Sequence, residues 1–271
     1  MALLTVVNER QNPEWPACVK APDLAAGELH LWLIPTSQSD AVQNRAYAIL
    51  SSDEQARADR FRVTHARQQY IMAHAALRSL LADYQQSLAS DLHFIEGKKG
   101  KPVLDTGHHP APLHFNLSHS GGYALLGLCR DHSLGVDIEQ QNDIRDTSGL
   151  IKRFFAPVEI RLLEELSGTA LLDRFYRLWT CKEALLKAEG VGVAGGLDGF
   201  AIDLGQDMPL STHWHKTKDT PEWSKPDWLL TELRVPDGYA GAVACDASVK
   251  RVLRMGFCSM FDPLTPTLSL M

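Results

Sequence analysis

Phe175–Gly192, FYRLWTCKEALLKAEGVG, sets the frame for reading the rest of this 271-residue chain. Wound as a helix, it gathers Phe175, Leu178, Trp179, Leu185 and Leu186 near one apolar stripe. Glu183 and Lys187 then stand one turn apart on a more polar face, and Gly190 and Gly192 supply the stop. Taken alone, that spacing is the ordinary ion pair of a solvated helix surface. Whether it does more depends on the polar residues elsewhere.

Length allows a full core, as one large domain or two smaller ones. The chain is 45% hydrophobic, 22% charged and 8% aromatic, an ordinary globular composition. No apolar run approaches the roughly 18 residues of a membrane span. The opening MALLTVVNERQNPEW lacks the basic leader of a signal peptide, so no membrane association is expected. Acids outnumber bases 33 to 27, a net charge of −6. A nucleic-acid binder usually carries the opposite excess, and none is expected as a partner. Cys18, Cys129, Cys181, Cys245 and Cys258 are odd in number and form no close Cys-x-x-Cys pair. They argue against a zinc site or disulfide framework and point to the reducing cytoplasm.

Residues 1–27, with Pro13, Pro16 and Pro22, read as irregular. Glu28–Ile34 alternates Leu29, Leu31 and Leu33 with Glu28, His30 and Trp32, the pattern of a strand. Ser51-Ser52-Asp53-Glu54 marks a helix start. From Ala66 the repeat of Tyr70, Ala73, Leu77, Leu80 and Tyr84 predicts a long amphipathic helix ending near residue 85. Its approach carries Arg57, Arg60, Arg62 and Arg67, either a solvated face or a receiver of anions. Gly97-Lys98-Lys99-Gly100 reads as a hairpin turn with lysines in water, or as a cationic loop for phosphate. His114–Ser118 and Tyr123–Arg130 read as strands, and Ser133–Glu139 is expected to pair with the second of them across Asp131-His132. Pro157 and Glu159 suit the first turn of a short helix. After the organising helix the chain turns to strands at 199–204, 211–217, 228–235, 239–245 and 252–257. Helices followed by strands in each half predict an α+β fold, and the similar element order suggests two related lobes, 1–130 and 131–271.

Three clusters could carry chemistry. Asp137 and Glu139 alternate on a strand, so both carboxylates leave one face while Val136 and Ile138 bury the other. With Glu183 they would make three oxygen donors suited to Mg²⁺; without it they are a solvated edge. Ser118-His119-Ser120-Gly121 follows a strand, either as a polar turn or as a hydroxyl and imidazole aimed at an anion. No Gly-x-Ser-x-Gly, P-loop or dinucleotide turn occurs.

In order, GKKGKP, FNLSHSGG, LGVDIE, RFF and FYRLWTCKEALLKAEGVG resemble the 4′-phosphopantetheinyl transferases of the Sfp type. The nearer likeness is to the subgroup whose helix reads W-x-x-K-E-A-x-x-K. The resemblance spans roughly residues 50–205. Departures are Val193-Ala194, where relatives more often have leucine, and Glu54, Gln68 and Gln69, where they often carry bases. The resemblance implies a pseudo-two-fold pair of α/β lobes with coenzyme A in the cleft between them. It implies transfer of the 4′-phosphopantetheine arm to a serine of an acyl or peptidyl carrier protein, with release of 3′,5′-ADP. Asp137, Glu139 and Glu183 would bind Mg²⁺. Glu183 would be the base for the carrier serine, and Lys187 would meet the departing phosphate. Ser118 and His119 would contact the nucleotide phosphates, His119 also counting among the catalytic set. Lys101 with Pro102, and Lys99, Arg57 and Arg67, would cradle the 3′-phosphate side. Lys182 matches a family position, with a helix–helix salt bridge as the alternative. The stretch Gln140–Phe155 would receive the carrier through Ile144, Leu150, Ile151 and Phe154, unless these pack beneath the loop. One of Phe154 and Phe155 is expected in the core. A cleft completed within one chain predicts a monomer. Competing classes are a non-catalytic coenzyme A or carrier binder on the same fold and a metal-dependent phosphohydrolase.

Overall fold

A computed structural model describes residues 15–18, 20–97, 100–105, 107, 113–191, 196–204, 213–216 and 228–257. Lys99, Gly192, Val193, Ala194 and Cys258 lie outside them, as do residues 1–14 and the tail from 258 onward. The chain folds as mixed α and β. In order the strands are β1 (Ala17–Cys18), β2 (Glu28–Pro35), β3 (Phe94–Glu96), β4 (Pro102–Leu104), β5 (His114–Ser120) and β6 (Tyr123–Cys129). There follow β7 (Leu134–Gln140), β8 (Phe200–Asp203), β9 (His213–Lys216), β10 (Trp228–Leu233), β11 (Tyr239–Asp246) and β12 (Arg251–Phe257). The helices are α1 (Asp40–Ile49), α2 (Ser52–Ala58), α3 (Thr64–Gln85), α4 (Thr147–Phe154), α5 (Pro157–Glu164) and α6 (Gly168–Glu189).

Two sheets carry the framework. The first runs β1-β12-β2-β6-β5 and the second β10-β11-β7. β12 enters the first sheet parallel to both of its neighbours, so the last described strand belongs with the earliest part of the chain. The expected pairing of Tyr123–Arg130 with Ser133–Glu139 does not occur. Both edges of β6 are taken, by β2 and by β5, and β7 instead pairs antiparallel with β11. A strand with no free edge cannot accept its sequence neighbour, however short the connection. The predicted single helix up to residue 85 is likewise two, α2 and α3, separated at residues 59–63. Ala17–Cys18, read as irregular, forms the short parallel pairing with Gly256–Phe257.

β2 explains how the layers stack. Leu29, Leu31 and Leu33 meet Val136, Ile138 and Val243 between the sheets, while Trp32 and Ile34 join the core under α3. Both faces are therefore buried, and the polar side of the alternation has partners of its own. Tyr84 Oη lies 2.7 Å from His30 Nδ1 and accepts from Trp32 Nε1 at 3.1 Å. On the far side α6 covers the second sheet through Phe175, Leu178, Leu185 and Leu186 against Ala240, Ala242 and Ala244. Phe155 is 1% exposed and forms part of that core, with Phe154 edge-on to Trp179 at 5.5 Å.

Candidate active site

The position of α6 over β7 is decided by a glycine. A Cβ at Gly135 would lie 2.0 Å from Ala184 O and 2.5 Å from Ala188 N. Any side chain there would push the helix off the strand. With none, α6 lies directly on β7, and Gly135, Asp137 and Glu139 share the face it covers. Glu183 and Lys187 come down on these carboxylates.

Lys187 Nζ lies 2.6 Å from Asp137 Oδ1 and also donates to Ser118 Oγ at 3.1 Å and Val136 O at 3.2 Å. The ion pair therefore joins helix to strand, and Ser118 donates to the same Asp137 oxygen at 2.8 Å. Asp137 Oδ2 is buried with no hydrogen-bond partner among the described residues. An orphaned carboxylate oxygen is costly unless something outside the protein completes it. Burial and the Asp137 charge push Glu139 above the usual carboxylate range. Glu183, 8% exposed, is raised to about 7 by burial first and then by Asp137. Burial and the neighbouring carboxylates favour the protonated acids, while Lys187 favours the charged forms. Among the described residues no three His, Cys, Asp or Glu side chains already converge as a ready-made metal cage. The donors nevertheless fit a hard divalent ion, because they are oxygens, anionic and electrostatically under-compensated.

The wall beside this cluster comes from β5 and α3. His119 lies on the open side of β5, yet crowding in the cleft and the neighbouring His74 and Lys187 lower its imidazole to about 4. Gln69 Nε2 donates to Gly121 O at 2.9 Å, tying α3 to the turn after β5. Gly121 has φ +54°, and a Cβ there would meet Gln140 Oε1 at 2.4 Å. Tyr70 stacks on His74 at 4.1 Å between centroids, with the Arg57 guanidinium 5.3 Å from the Tyr70 ring.

Other site residues fall in more specific places than their types suggested. Lys101 Nζ donates to Leu134 O at 2.9 Å and Lys187 O at 3.0 Å, binding the hairpin to both β7 and α6. Burial, then Lys187, lowers its ammonium to about 8. Pro102 opens β4 in an exposed position. Arg67 donates to Asp59 at 2.9 Å and lies over the Tyr47 ring, bracing the corner between α2 and α3. Glu54 caps α2 through a reciprocal Ser51 box and pairs with Arg78. Lys182 is 0% exposed, 2.8 Å from Glu159, and donates to the Leu197 and Phe200 carbonyls. That is a salt bridge within the core. Ile151 is buried, while Ile144, Leu150 and Phe154 are half-buried against the same core.

His74, Asn116 and Ser120 are the residues sequence reasoning missed. The last two had a visible signal: Asn116, Ser118 and Ser120 alternate on β5 as Asp137 and Glu139 do on β7.

A mixed α/β scaffold in which a strand Asp-x-Glu faces a helical Lys-Glu-x-x-x-Lys agrees with what the comparisons found. The description of the 4′-phosphopantetheinyl transferase superfamily matches residues 133–244, and that of the 4′-phosphopantetheinyl transferase N-terminal region matches 36–129. The chain belongs to the 4′-phosphopantetheinyl transferase superfamily and is an enzyme of that class. The 4′-phosphopantetheinyl transferase HetI of Nostoc is 37% identical over 227 residues, 83% of this chain and 91% of its own. Sfp of Bacillus subtilis is 29% identical over 77% of this chain and 87% of its own. A Xenopus laevis L-aminoadipate-semialdehyde dehydrogenase-phosphopantetheinyl transferase is 27% identical over 71% of this chain and 67% of its own. The Nostoc protein is thus nearer in sequence than Sfp. No described helix is long and apolar enough to cross a membrane.

Proposed function

We propose that the phosphopantetheine donor is coenzyme A and the acceptor a serine hydroxyl of an acyl or peptidyl carrier protein, with 3′,5′-ADP as the second product. The observation that carries this reading is the meeting of Asp137 and Glu139 with Glu183 and Lys187 across the β7–α6 contact. In the transfer, the serine oxygen bonds to the phosphorus that carries the pantetheine arm. The phosphoanhydride bond to the 3′,5′-ADP portion breaks, and its electron pair leaves on the ADP phosphate. Glu183 takes the serine proton, directly or through a water. Lys187 meets the charge that develops on the leaving group.

Asp137, Glu139 and Glu183 would hold Mg²⁺, and the orphaned Asp137 Oδ2 supports that assignment. When bound, the ion neutralises charge on the pyrophosphate. Ser118 and His119 would contact the nucleotide phosphates, and Lys101 with Pro102, Arg57 and Arg67 would cradle the 3′-phosphate side; Lys99, proposed with them, lies outside the described residues. Lys101 already holds two carbonyls, so its contribution includes fixing Lys187 in place. The chain divides into lobes 1–130 and 131–271, related by a pseudo-two-fold, with β12 crossing back to the first. Family descriptions ending at 129 and resuming at 133 support that division. The carrier docks along 140–155, where half-buried Ile144, Leu150 and Phe154 border the core. The protein acts as a monomer in the cytoplasm, without nucleic acid or membrane. The four described cysteines are free, as a reducing compartment would leave them.

The test is incubation of the protein with coenzyme A, Mg²⁺ and a panel of apo-carriers, read by intact mass. A gain of one phosphopantetheine arm, abolished by EDTA, is expected. Binding of coenzyme A with no carrier gaining mass, or release of free phosphate without a carrier, would overturn the reading.

A further inference from the structure

β5 and β7 are edge strands of different sheets, yet they run beside each other without a backbone ladder. Side chains stand in for the missing pairing. Asn116 Oδ1 accepts from Val136 N at 2.8 Å, Ser118 Oγ from Ile138 N at 3.5 Å, and Ser120 Oγ from Gln140 N at 3.1 Å. Alternate residues of one strand thus meet alternate amides of the other, and these outward-facing N–H groups gain partners.

The two serines do a second thing with the same oxygen. A hydroxyl has one proton to give as well as lone pairs to accept with. Ser118 gives its proton to Asp137, and Ser120 gives its own to Glu139 Oε2 at 2.7 Å. Asp137 is also gripped by Lys187; for Glu139 the Ser120 hydroxyl is the hydrogen bond the structure records. Because Ser120 Oγ is itself held by the Gln140 amide, the oxygen stays within reach of Glu139. Without that hydrogen bond the Glu139 carboxylate would be free to turn away from its like-charged neighbour Asp137.

We propose that Ser120 is a positioning residue, which uses its place in the β5–β7 side-chain ladder to hold the Glu139 carboxylate toward the proposed divalent-metal site. This rests on the metal reading above. Hydrogen bonds to a ligating carboxylate typically change metal affinity by about 10–100-fold when lost.

The experiment compares wild type, Ser120→Ala and Ser120→Thr in two measurements. The first is Mn²⁺ binding by electron paramagnetic resonance in the presence of coenzyme A. The second is amide hydrogen exchange of β7. Ser120→Ala is expected to weaken Mn²⁺ about 10–100-fold and speed exchange at Gln140 while leaving Val136 protected. The KM for coenzyme A at saturating metal should be unchanged, and Ser120→Thr, which keeps the hydroxyl, should restore Mn²⁺ affinity. Faster Gln140 exchange with wild-type Mn²⁺ affinity would reduce Ser120 to a strand fastener and overturn the proposal. Unchanged exchange would deny the ladder itself. A wild-type protein that binds no Mn²⁺ would overturn the metal reading, and this inference with it.

Discussion

Lys182 and Lys187 project from the same helix toward acidic partners, and the difference between them separates framework from site. Lys182 is sealed in the core with Glu159, whose oxygens also accept from Ala156 N and Ile202 N, each at 2.8 Å. Carbonyls of Leu197 and Phe200 complete the lysine. Every polar group in that cluster has a partner, so it joins α5, α6 and β8 and has nothing left for a ligand. Lys187 is half-exposed, its partner Asp137 keeps one buried oxygen unsatisfied, and Glu139 and Glu183 beside it are strained toward protonation. A cluster completed by the chain stabilises it; one the chain leaves incomplete is where a ligand is expected.

That contrast can be broken most sharply at Glu183. Glu183→Gln keeps the shape and removes the proposed base, so transfer should fall by about 10²–10⁴-fold with the thermal midpoint kept or raised. Near-wild-type turnover in a carrier assay would remove Glu183 from the chemistry. Next in size is Lys182→Met, which leaves Glu159 buried and unpaired. It should cost about 3–5 kcal/mol in denaturant unfolding. A loss well below that would mean the pair is not the structural tie described.

Proton linkage sharpens the same division. The metal-free protein holds Glu183 near 7 against an ordinary 4.5. Between those pH values the folded state binds more protons than the unfolded one, so this group's contribution falls as pH rises through that window. The expected decline is on the order of 1–3 kcal/mol, flattened in Glu183→Gln and measurable by urea unfolding in EDTA. Glu54 behaves oppositely. Burial opposes its charge, but the nearby His74 and hydrogen bonds from Arg78 and the Ser51 amide outweigh it and lower the group to about 2. Its stabilisation is present above 4.5 and lost as pH falls toward 2. The smallest effect is expected at Lys101→Ala, a several-fold rise in the KM for coenzyme A, on the order of 1 kcal/mol, that exceeds the drop in kcat. An unchanged KM would leave Lys101 with bracing alone.

Much of this was legible in the sequence, because period and spacing are local properties. The bounds of α6, the strand carrying Asp137 and Glu139, and the hairpin around Gly97 and Gly100 all follow from residues close in the chain. Strand partners do not. That β7 would leave β6 for β11, and that β12 would return beside β2, depends on which edges remain free after the whole chain has folded. The site divides in the same way. The Glu183 and Lys187 spacing placed them on one face, and the resemblance supplied the strand facing them. Ser120 and Asn116 stood within FNLSHSGG, but nothing local shows that β7 lies beside that strand, so the β7 amides they hold could not be read.

Helix α6 thus carries one lysine that serves the frame and one proposed for the reaction. Transfer to an apo-carrier and thermal midpoint should therefore be measured together for Lys182→Met and Lys187→Met. A crossed result is expected: for the first, a large loss of midpoint, and for the second, a large loss of transfer with a smaller loss of midpoint, because buried Asp137 loses its ion-pair partner. Lys187→Met transferring phosphopantetheine at the wild-type rate would contradict it.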